Sequence, residues 1–291
     1  MRQNRFDSPY LNWYVNYACR DDYGAPASAV AAWAGIHYFA SRENEDKGPF
    51  TWPEGNGWIV KRLLAKLGRY VKTNAAVYRI VRDGRRLRVQ TEETEYIAEA
   101  LIFAAPTFLA AHLLDDAPAA QGFEYSPWLT ANLTLERIPS ERGIEMAWDN
   151  VIYDSPALGY VVATHQNLSS RVDRTVWTYY WALAQATPSE SRLLLLEKDW
   201  NYWKEAILND LSRPHPDIRA CVSRIDIMRM GHAMARPSVG FLSSGTRRRL
   251  SNYGAGNVWF ANSDLSGVSI FEEAQYRGVR AAGEALRALG R

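Results

Sequence analysis

The sequence predicts a mixed α/β protein in which two parts interleave along the chain. Helical and buried-strand patterns open and close the 291 residues, and the middle carries alternating stretches typical of an antiparallel sheet. A chain of this length can bury one large core or two modest ones. We therefore expect an α/β part built from distant segments, interleaved with an antiparallel-sheet plus helix part.

The first 70 residues are predicted to be mainly helical. Residues 8–42 have helical spacing, and an alanine-rich stretch at 25–34 places Pro26 in a first turn. Residues 59–67 carry apolar side chains on one helical face. Gly68 follows them as a C-cap.

A strand pattern replaces the helical one after residue 70. Residues 71–81 are rich in β-branched and aromatic types, Asp83-Gly84 is a hairpin signal, and residues 87–91 alternate like a return strand. Residues 96–105 are a short apolar run that ends at Pro106. This run predicts a single strand buried on both faces.

The middle of the chain predicts an antiparallel sheet and one long helix. Residues 129–135, 159–164 and 175–184 alternate as strands do, whereas residues 188–211 have the period of an amphipathic helix with Ser189 as N-cap. The predicted apolar stripe of this helix consists of Leu193, Leu196, Trp200, Trp203 and Ile207.

The last third predicts two more strands and a closing helix. Residues 218–230 and 257–261 have strand patterns, and residues 271–289 have a helical one. Gly254-Ala255-Gly256 is the nearest match to a dinucleotide fingerprint. It lacks the third glycine and leads into a strand, so we interpret it as a connecting turn.

Composition narrows the classes of partner. The net charge is +2 and the longest basic run is Arg247-Arg248-Arg249, so no nucleic-acid partner is expected. The apolar stretch at 29–40 is too short to span a bilayer, and the N-terminus has no secretory apolar core. Two distant cysteines predict neither disulfides nor zinc. We expect a cytoplasmic protein without a membrane span.

Standard catalytic signatures are absent from the sequence. It contains no GxSxG, GxxxxGK[ST] or HExxH, and its five histidines lack metal-ligand spacing. The clearest signal is the strand–turn–helix of residues 257–274, in which Asp264 follows the strand. Amides at a helix start can receive oxygen atoms, and the aspartate can accept hydrogen bonds from hydroxyls. A capped helix packed on a sheet explains the same pattern equally well.

This segment resembles the closing strand–turn–helix of FAD-dependent amine oxidases, protoporphyrinogen oxidases and phytoene desaturases. The resemblance implies FAD as cofactor, with Asp264 at the ribityl chain and the amides of Ser269, Ile270 and Phe271 near the pyrimidine end of the flavin. Asn262-Ser263 replaces the usual glycine before the acid, and about two extra residues precede Glu272.

A second block resembles the centre of the same family. It comprises residues 53–57, the helix after them, the strand through Val77, the hairpin, and residues 101–106. By resemblance, the Val77 backbone touches the adenine, and Ala105 and Pro106 lie beside the cofactor. The predicted domains are 51–107 and 251–291 for FAD binding in a Rossmann-like domain, with 1–50 as a helical part and 108–250 as the core of a substrate domain.

The GxGxxG segment that opens such proteins is not in this sequence, nor is the acidic residue that binds the adenosine ribose. Either the chain is a fragment, or a separate chain carries that segment, or flavin binding has been lost. We favour a fragment, a truncated gene prediction for example. A parallel sheet without its central strand would expose apolar edges, so the chain is expected to dissolve poorly unless something covers them.

The predicted substrate is an amine or an apolar or aromatic small molecule. His165 and His232 are the candidates for catalytic polar groups near the flavin ring, and Trp148, Tyr160 and Gln166 for substrate contacts. No lysine lies on a predicted substrate-domain strand, which favours a desaturase or other dehydrogenase over a strict amine oxidase. The alternatives are a flavin-free small-molecule-binding or regulatory protein and a purely structural interaction protein.

Overall fold

The computed structural model describes residues 5–41, 52–118, 120–167 and 172–291. The chain divides into two compact units that interleave in sequence. Unit 1 comprises Met1–Ala29, Trp33–Gly68 and Tyr125–Met234, and unit 2 comprises Val30–Ala32, Arg69–Glu124 and Ala235–Arg291. The domain boundaries predicted from the sequence stay predictions.

The helices and strands of the described residues follow one another in mixed order. The helices are α1 (Pro9–Tyr23), α2 (Ala32–Ala40), α3 (Gly57–Leu67), α4 (Ala110–Leu113), α5 (Pro188–Glu197), α6 (Trp200–Leu211), α7 (Ile218–Cys221), α8 (Gly245–Ser251) and α9 (Phe271–Ala288). The strands are β1 (Val77–Asp83), β2 (Arg86–Thr91), β3 (Glu95–Ala98), β4 (Leu101–Phe103), β5 (Tyr125–Leu135), β6 (Asp149–Asn150), β7 (Gly159–Val162), β8 (Thr175–Ala182), β9 (Val222–Ala235) and β10 (Val258–Phe260). No helix among the described residues is long and apolar enough to cross a bilayer.

Unit 1 is built on a five-stranded sheet in the order β6-β7-β8-β5-β9. The β6–β7, β7–β8 and β8–β5 pairs are antiparallel, which confirms the antiparallel sheet predicted from the alternating stretches. Alternate residues of β5, such as Leu129 and Leu133, point into a core that they share with Trp177 of β8 and with Trp203 and Ile207 of α6. One face of the sheet is thus covered by helices.

The single long helix predicted for residues 188–211 is wrong, because the chain leaves the helical conformation at Lys198. Asp199 starts α6, and its carboxylate accepts a hydrogen bond from the Tyr202 N–H at 2.8 Å. The side chain of Thr187, rather than that of Ser189, caps α5. Because α5 and α6 are separate helices, the apolar stripe predicted for one continuous helix is buried only in its α6 part. The stripe divides into exposed Leu193, Leu196 and Trp200 and buried Trp203 and Ile207.

Two other element predictions need correction, and a third is confirmed. Pro26 lies in a loop, because Gly24 ends α1 in the left-handed conformation (φ 63°) and α2 begins only at Ala32. The strand predicted from residue 218 begins with the short helix α7, and β9 follows it. Gly68 is the C-cap of α3, as predicted, although its conformation is right-handed rather than left-handed.

A buried histidine braces the core of unit 1. Nε2 of His215 accepts a hydrogen bond from the Tyr160 hydroxyl at 2.6 Å, and its Nδ1 donates to the Ser140 carbonyl at 2.9 Å. Both ring nitrogens are therefore hydrogen-bonded when the ring is neutral. Burial lowers the pKa of His215. Burial therefore keeps the ring in its neutral form.

This network predicts a pH-dependent stability. The folded pKa of His215 lies below the unfolded value of about 6.5, so its contribution is present above that pH and is lost as the pH falls through the folded pKa. We expect His215→Gln to flatten the dependence of the free energy of unfolding between about pH 7 and pH 5. Tyr160→Phe, the control, should lower stability while keeping the slope. An unchanged slope in His215→Gln, followed by urea unfolding, would contradict this account.

Unit 2 contains an antiparallel meander, β1-β2-β3, and a parallel pair, β10-β4. The predicted hairpin is confirmed, with Asp83 paired to Arg86 around Gly84. The single strand predicted for residues 96–105 is wrong, since the chain bends after Ala98 and the run divides into β3 and β4 of different sheets. In addition, β1 begins at Val77 rather than at residue 71.

The parallel pair lies between two layers of unit 2. Phe103, Val258 and Phe260 are buried with side chains of the meander such as Leu87. Residues of β10 on the opposite face pack against the alanines of α9, including Ala281. The strand and the closing helix predicted for residues 257–261 and 271–289 are confirmed.

Candidate functional site

The carboxyl ends of β4 and β10 lie side by side in unit 2. The Phe103 carbonyl accepts a hydrogen bond from the Ala261 N–H at 3.0 Å. Beyond that point, Oδ2 of Asp264 accepts from the backbone N–H of Thr107 at 2.9 Å. The carboxylate is buried, with 6% of the residue exposed. Asp264 therefore ties the turn after β10 to the turn after β4.

A neighbouring asparagine strengthens the same connection. The side chain of Asn262 accepts from the Asp264 N–H at 2.9 Å through Oδ1 and donates to the Ala104 carbonyl at 3.2 Å through Nδ2. The predicted cofactor residues Ala105 and Pro106 form the β4 side of this edge. The structure thus brings Asp264, Ala105 and Pro106 together, whereas their contacts with FAD stay predictions.

Thr107 is a site residue that the sequence did not reveal. The residue is fully buried, and its hydroxyl has no hydrogen-bond partner in the part of the chain that the structure describes. A buried hydroxyl without a partner costs about 1–3 kcal/mol, so a bound ligand that accepts from it or donates to it would be stabilised. The available signal was its position directly after the apolar run and Pro106.

The start of α9 lies in the same unit. The first bond inside the helix runs from the Ala274 N–H to the Ile270 carbonyl at 3.2 Å, and no side chain caps the helix. The N–H groups of Phe271, Glu272 and Glu273 therefore have no acceptor within the helix. Of the amides predicted to face the flavin, that of Ile270 donates to Val268 in a local turn, and Ser269 is half-buried before it. These roles stay predictions.

A buried arginine holds the turn against α9. Arg277 donates to the Ser266 hydroxyl at 2.9 Å, to the Leu265 carbonyl at 3.1 Å and to the Ser251 hydroxyl at 3.3 Å. Burial, reinforced by Arg247, lowers the pKa of its guanidinium. The sequence signal was a charged residue four positions before Ala281 on the buried stripe of α9.

Gly267 is required by two independent features of this turn. Its φ is +72°, and a Cβ there would lie 2.7 Å from Cε1 of Phe241. We expect Gly267→Ala to lower the free energy of unfolding by about 1–3 kcal/mol. Gly278→Ala is the control, since a Cβ there meets open space in α9 and should stabilise the helix slightly. Equal midpoints for the two variants in urea unfolding would contradict the steric argument.

The remaining predicted cofactor residue, Val77, packs against the core that contains Phe103 and Phe260. Val77 begins β1, opposite Thr91, and is half-buried beside the core of the meander. Its predicted backbone contact with adenine stays a prediction.

Most predicted substrate residues lie together at one side of the unit 1 sheet. The Trp148 carbonyl accepts from the Val162 N–H at 2.8 Å, and exposed His165 and half-buried Gln166 form the turn after β7. Tyr160 of β7 is buried, and its hydroxyl is bonded to His215 in the core. These side chains therefore share the β6–β7 hairpin and its following turn.

His232 does not join them. It lies on β9, and strands β8 and β5 separate it from β7. Its ring is exposed and contacts Tyr125, with 5.8 Å between the ring centroids. Partial desolvation, followed by the nearby Arg192, lowers the pKa of His232. The two predicted catalytic histidines thus lie at opposite sides of one sheet, and their roles stay predictions.

The described residues fit part of a flavin site. The edge of β4 and β10 has a buried carboxylate and the Thr107 hydroxyl, which lacks a partner among the described residues, and α9 of the same unit begins with amides that have no acceptor within the helix. In open α/β sheets, ligands bind at the carboxyl ends of the strands. The turn at Gly256, the nearest glycine-rich segment, leads into β10 rather than into a helix. The described ranges therefore contain no glycine-rich turn leading into a helix N-terminus, the feature that an FAD diphosphate would require.

Comparison with solved structures assigns the fold. The chain has the fold of FAD-dependent oxidoreductases of the amine oxidase type. It resembles a cyclohexylamine oxidase from Brevibacterium oxydans IH-35A with a TM-score of 0.69 and 14% identity over 99% of this chain and 67% of the other. A putrescine oxidase double mutant matches with a TM-score of 0.72 and 16% identity, over 98% of this chain and 66% of the other. A protein assigned as a protoporphyrinogen oxidase from Exiguobacterium sp. 255-15 matches with a TM-score of 0.64 and 16% identity, over 96% of this chain and 58% of the other.

These similarities concern part of each solved protein and are similarities of structure. The chain spans between 58% and 67% of the lengths of these three proteins. No protein-family model and no curated protein matches the sequence. The structural similarity therefore establishes the fold, and the function has to be inferred from the residues of the candidate site.

Proposed function

We propose that this chain is part of an FAD-dependent oxidoreductase that transfers a hydride from an amine or from an apolar or aromatic small molecule to the flavin. The single observation that carries the proposal is the edge of β4 and β10, where Asp264 is bound to the Thr107 amide and the Thr107 hydroxyl has no partner among the described residues. The fold supports the same conclusion.

The residues of unit 2 would hold the flavin end of FAD. Asp264 orients the turn and presents a carboxylate for ribityl hydroxyls, Thr107 offers its hydroxyl, and the free amides of α9 can receive ring oxygens. Flavin, when bound, supplies the hydride chemistry, and the protein supplies binding and orientation. Hydrogen bonds of Asp264 and Asn262 connect the turns after β4 and β10, and such connections help to position a cofactor.

The residues of unit 1 would hold the substrate. Trp148 and Gln166 offer an aromatic face and an amide beside the turn that carries His165, whereas Tyr160 shapes the hairpin from inside the core. His232 is the second polar candidate. Within this proposal the protein acts in the cytoplasm on a small molecule, with neither nucleic acid nor a membrane as partner, and a segment that carries GxGxxG supplies the diphosphate site.

The test is a titration with FAD of the full chain mixed with a segment that carries GxGxxG, followed by the flavin absorbance at about 450 nm. We expect saturable binding that Asp264→Ala weakens by about tenfold or more, the loss of about 1.4 kcal/mol of interaction. Asp115→Ala is the control, because Asp115 is an exposed carboxylate paired with Arg79 in the same unit. Anaerobic addition of candidate amines and aromatic substrates should then bleach the flavin band.

A flavin-free binding or regulatory protein is the second candidate. It is favoured by the lack of a glycine-rich turn between a parallel strand and a helix in the described ranges. No saturable FAD binding by the chain, alone or with a complementing segment, would make this candidate the better one and remove the oxidoreductase proposal.

A further inference from the structure

A cleft in unit 1 lies between α1, the loop after α1, and the loops that precede β7 and follow β8. Its volume is about 590 Å³. The apolar part of its lining comes from Trp13, Pro26, Pro156 and Ala184, and the polar part includes Arg20 of α1. Every lining residue belongs to unit 1, so the cleft is a feature of that unit alone.

The guanidinium of Arg20 is buried in the wall of this cleft and is only partly hydrogen-bonded. The residue is 6% exposed. It donates to the Pro156 carbonyl at 2.7 Å, whereas its contacts with the Ser155 and Ala157 carbonyls are at 3.4 or 3.5 Å. Its Nε has no partner among the described residues. A guanidinium has five N–H donors, and ordinary bonds to oxygen are about 2.7–3.2 Å long, so most of this donor capacity is unused.

The positive charge of Arg20 has no counterion in direct contact. Its hydrogen-bond partners are neutral carbonyls, and no carboxylate of the described residues forms an ion pair with it. Burial lowers the pKa of the guanidinium, although the charges of Tyr17 and Asp21 act in the opposite direction. A buried charge is costly unless it is paired. An anion in the cleft would supply the missing charge and the missing acceptors together.

A second donor of the same lining is also unsatisfied. The indole N–H of Trp13 is buried and has no partner in the part of the chain that the structure describes. Its ring packs against Tyr17 and Tyr153, with 5.6 and 4.8 Å between the ring centroids. These contacts fix the indole in the wall. Two buried donors without acceptors, one of them charged, thus border one cleft.

The lining favours a carboxylate over other anions. One guanidinium balances the single charge of a carboxylate and can bind both of its oxygens. A phosphate dianion would keep a second charge, because Arg20 is the one cation of the lining and Asp154 would repel it. The indole and proline surfaces suit an apolar remainder of the ligand.

We propose that this cleft binds the carboxylate of a small aromatic or aliphatic acid, with the guanidinium of Arg20 and the indole N–H of Trp13 as its donors. The inference goes beyond the proposed function, since neither the flavin nor the edge of β4 and β10 takes part in it. The chain would therefore have a second ligand site, which selects its occupant by charge.

The test titrates the full chain with benzoate and follows the Nε–H resonance of Arg20 by ¹⁵N NMR. Benzamide is the control ligand, because it has nearly the same shape without the charge. We expect saturable binding of benzoate with a Kd at or below about 1 mM, and binding of benzamide that is about tenfold weaker or more. Arg20→Lys should weaken benzoate binding about tenfold or more, because an ammonium cannot bind both oxygens in one plane.

A second pair of variants leaves Arg20 in place. Asp154 has a φ of +58°, a conformation that asparagine also adopts readily, so Asp154→Asn should keep the fold. Removing this charge from the lining should tighten benzoate binding about twofold or more. Asp226→Asn is the control, since Asp226 is an exposed acid of β9 outside the cleft, and it should leave the affinity unchanged.

Three results would overturn the proposal. Equal binding of benzoate and benzamide would mean that the cleft does not recognise the charge. Inorganic phosphate bound as tightly as benzoate would make it a general anion site. No saturable shift up to about 10 mM benzoate would leave Arg20 as a brace of the loop before β7. No flavin enters this measurement, so its failure is distinct from a failure to bind FAD.

Discussion

Asp264→Ala is expected to lower the free energy of unfolding by about 1–3 kcal/mol and to weaken FAD binding about tenfold or more. The substitution removes the acceptor of the Thr107 N–H, a bond of 2.9 Å between buried groups. A buried donor left without a partner costs the full desolvation of that group. Urea unfolding and hydrogen exchange at Thr107 measure the structural loss, and the flavin titration measures the functional one.

Two variants separate the structural role of Asp264 from the functional one. Asp264→Asn retains an oxygen for the Thr107 N–H and should recover most of the stability, although it lacks the charge that ribityl hydroxyls would meet. Asp115→Ala breaks an exposed pair with Arg79 and should cost less than about 1 kcal/mol. If Asp264→Ala left the exchange of the Thr107 amide unchanged, the tie between the two strand ends would be disproved.

Arg277→Ala is expected to cost about 2–4 kcal/mol, because three oxygen atoms lose a charged donor. Two of them belong to the Ser266 and Ser251 hydroxyls, and the third is the Leu265 carbonyl, which Arg247 also binds at 2.7 Å. The turn that carries Asp264 should therefore loosen against α9. Urea unfolding checks the cost, and hydrogen exchange at Ser266 and Gly267 locates it.

The matched control for Arg277 lies one position before the buried Ala281. Arg280 forms an i,i+4 ion pair with Glu284 at 2.8 Å and is partly exposed. Arg280→Ala should cost less than about 1 kcal/mol, and Arg277→Lys should restore only part of the loss because a single ammonium cannot replace a planar fork. Equal losses for Arg277→Ala and Arg280→Ala would contradict the bracing role.

The elements that local patterns determine were predictable from the sequence. The hairpin at Asp83-Gly84 has a turn signal between two alternating strands, and the closing strand and α9 change period at a polar turn. The end of β3 at Ala98 and the end of helix α5 before Lys198 were not predictable from such local patterns. Neither site has glycine or proline, and the cap that starts α6 depends on the Asp199 side chain reaching the backbone.

The candidate site was only partly predictable for a similar reason. Asp264 was found because an acid after a buried strand and before a helix is a local pattern. Thr107, Asn262 and Arg277 were missed, because their roles depend on segments far away in sequence that meet at the carboxyl ends of β4 and β10. Sequence spacing records which residues follow one another and does not record which strand ends become neighbours.

Hydrogen exchange with and without FAD tests the central claim most directly. The account predicts that FAD, in the presence of a segment that carries GxGxxG, slows exchange in the full chain at the Phe271, Glu272 and Glu273 amides and at Thr107, and that Asp264→Ala removes this effect while Asp115→Ala keeps it. Slower exchange confined to other segments, or no change at saturating FAD, would contradict a flavin site at the carboxyl ends of β4 and β10.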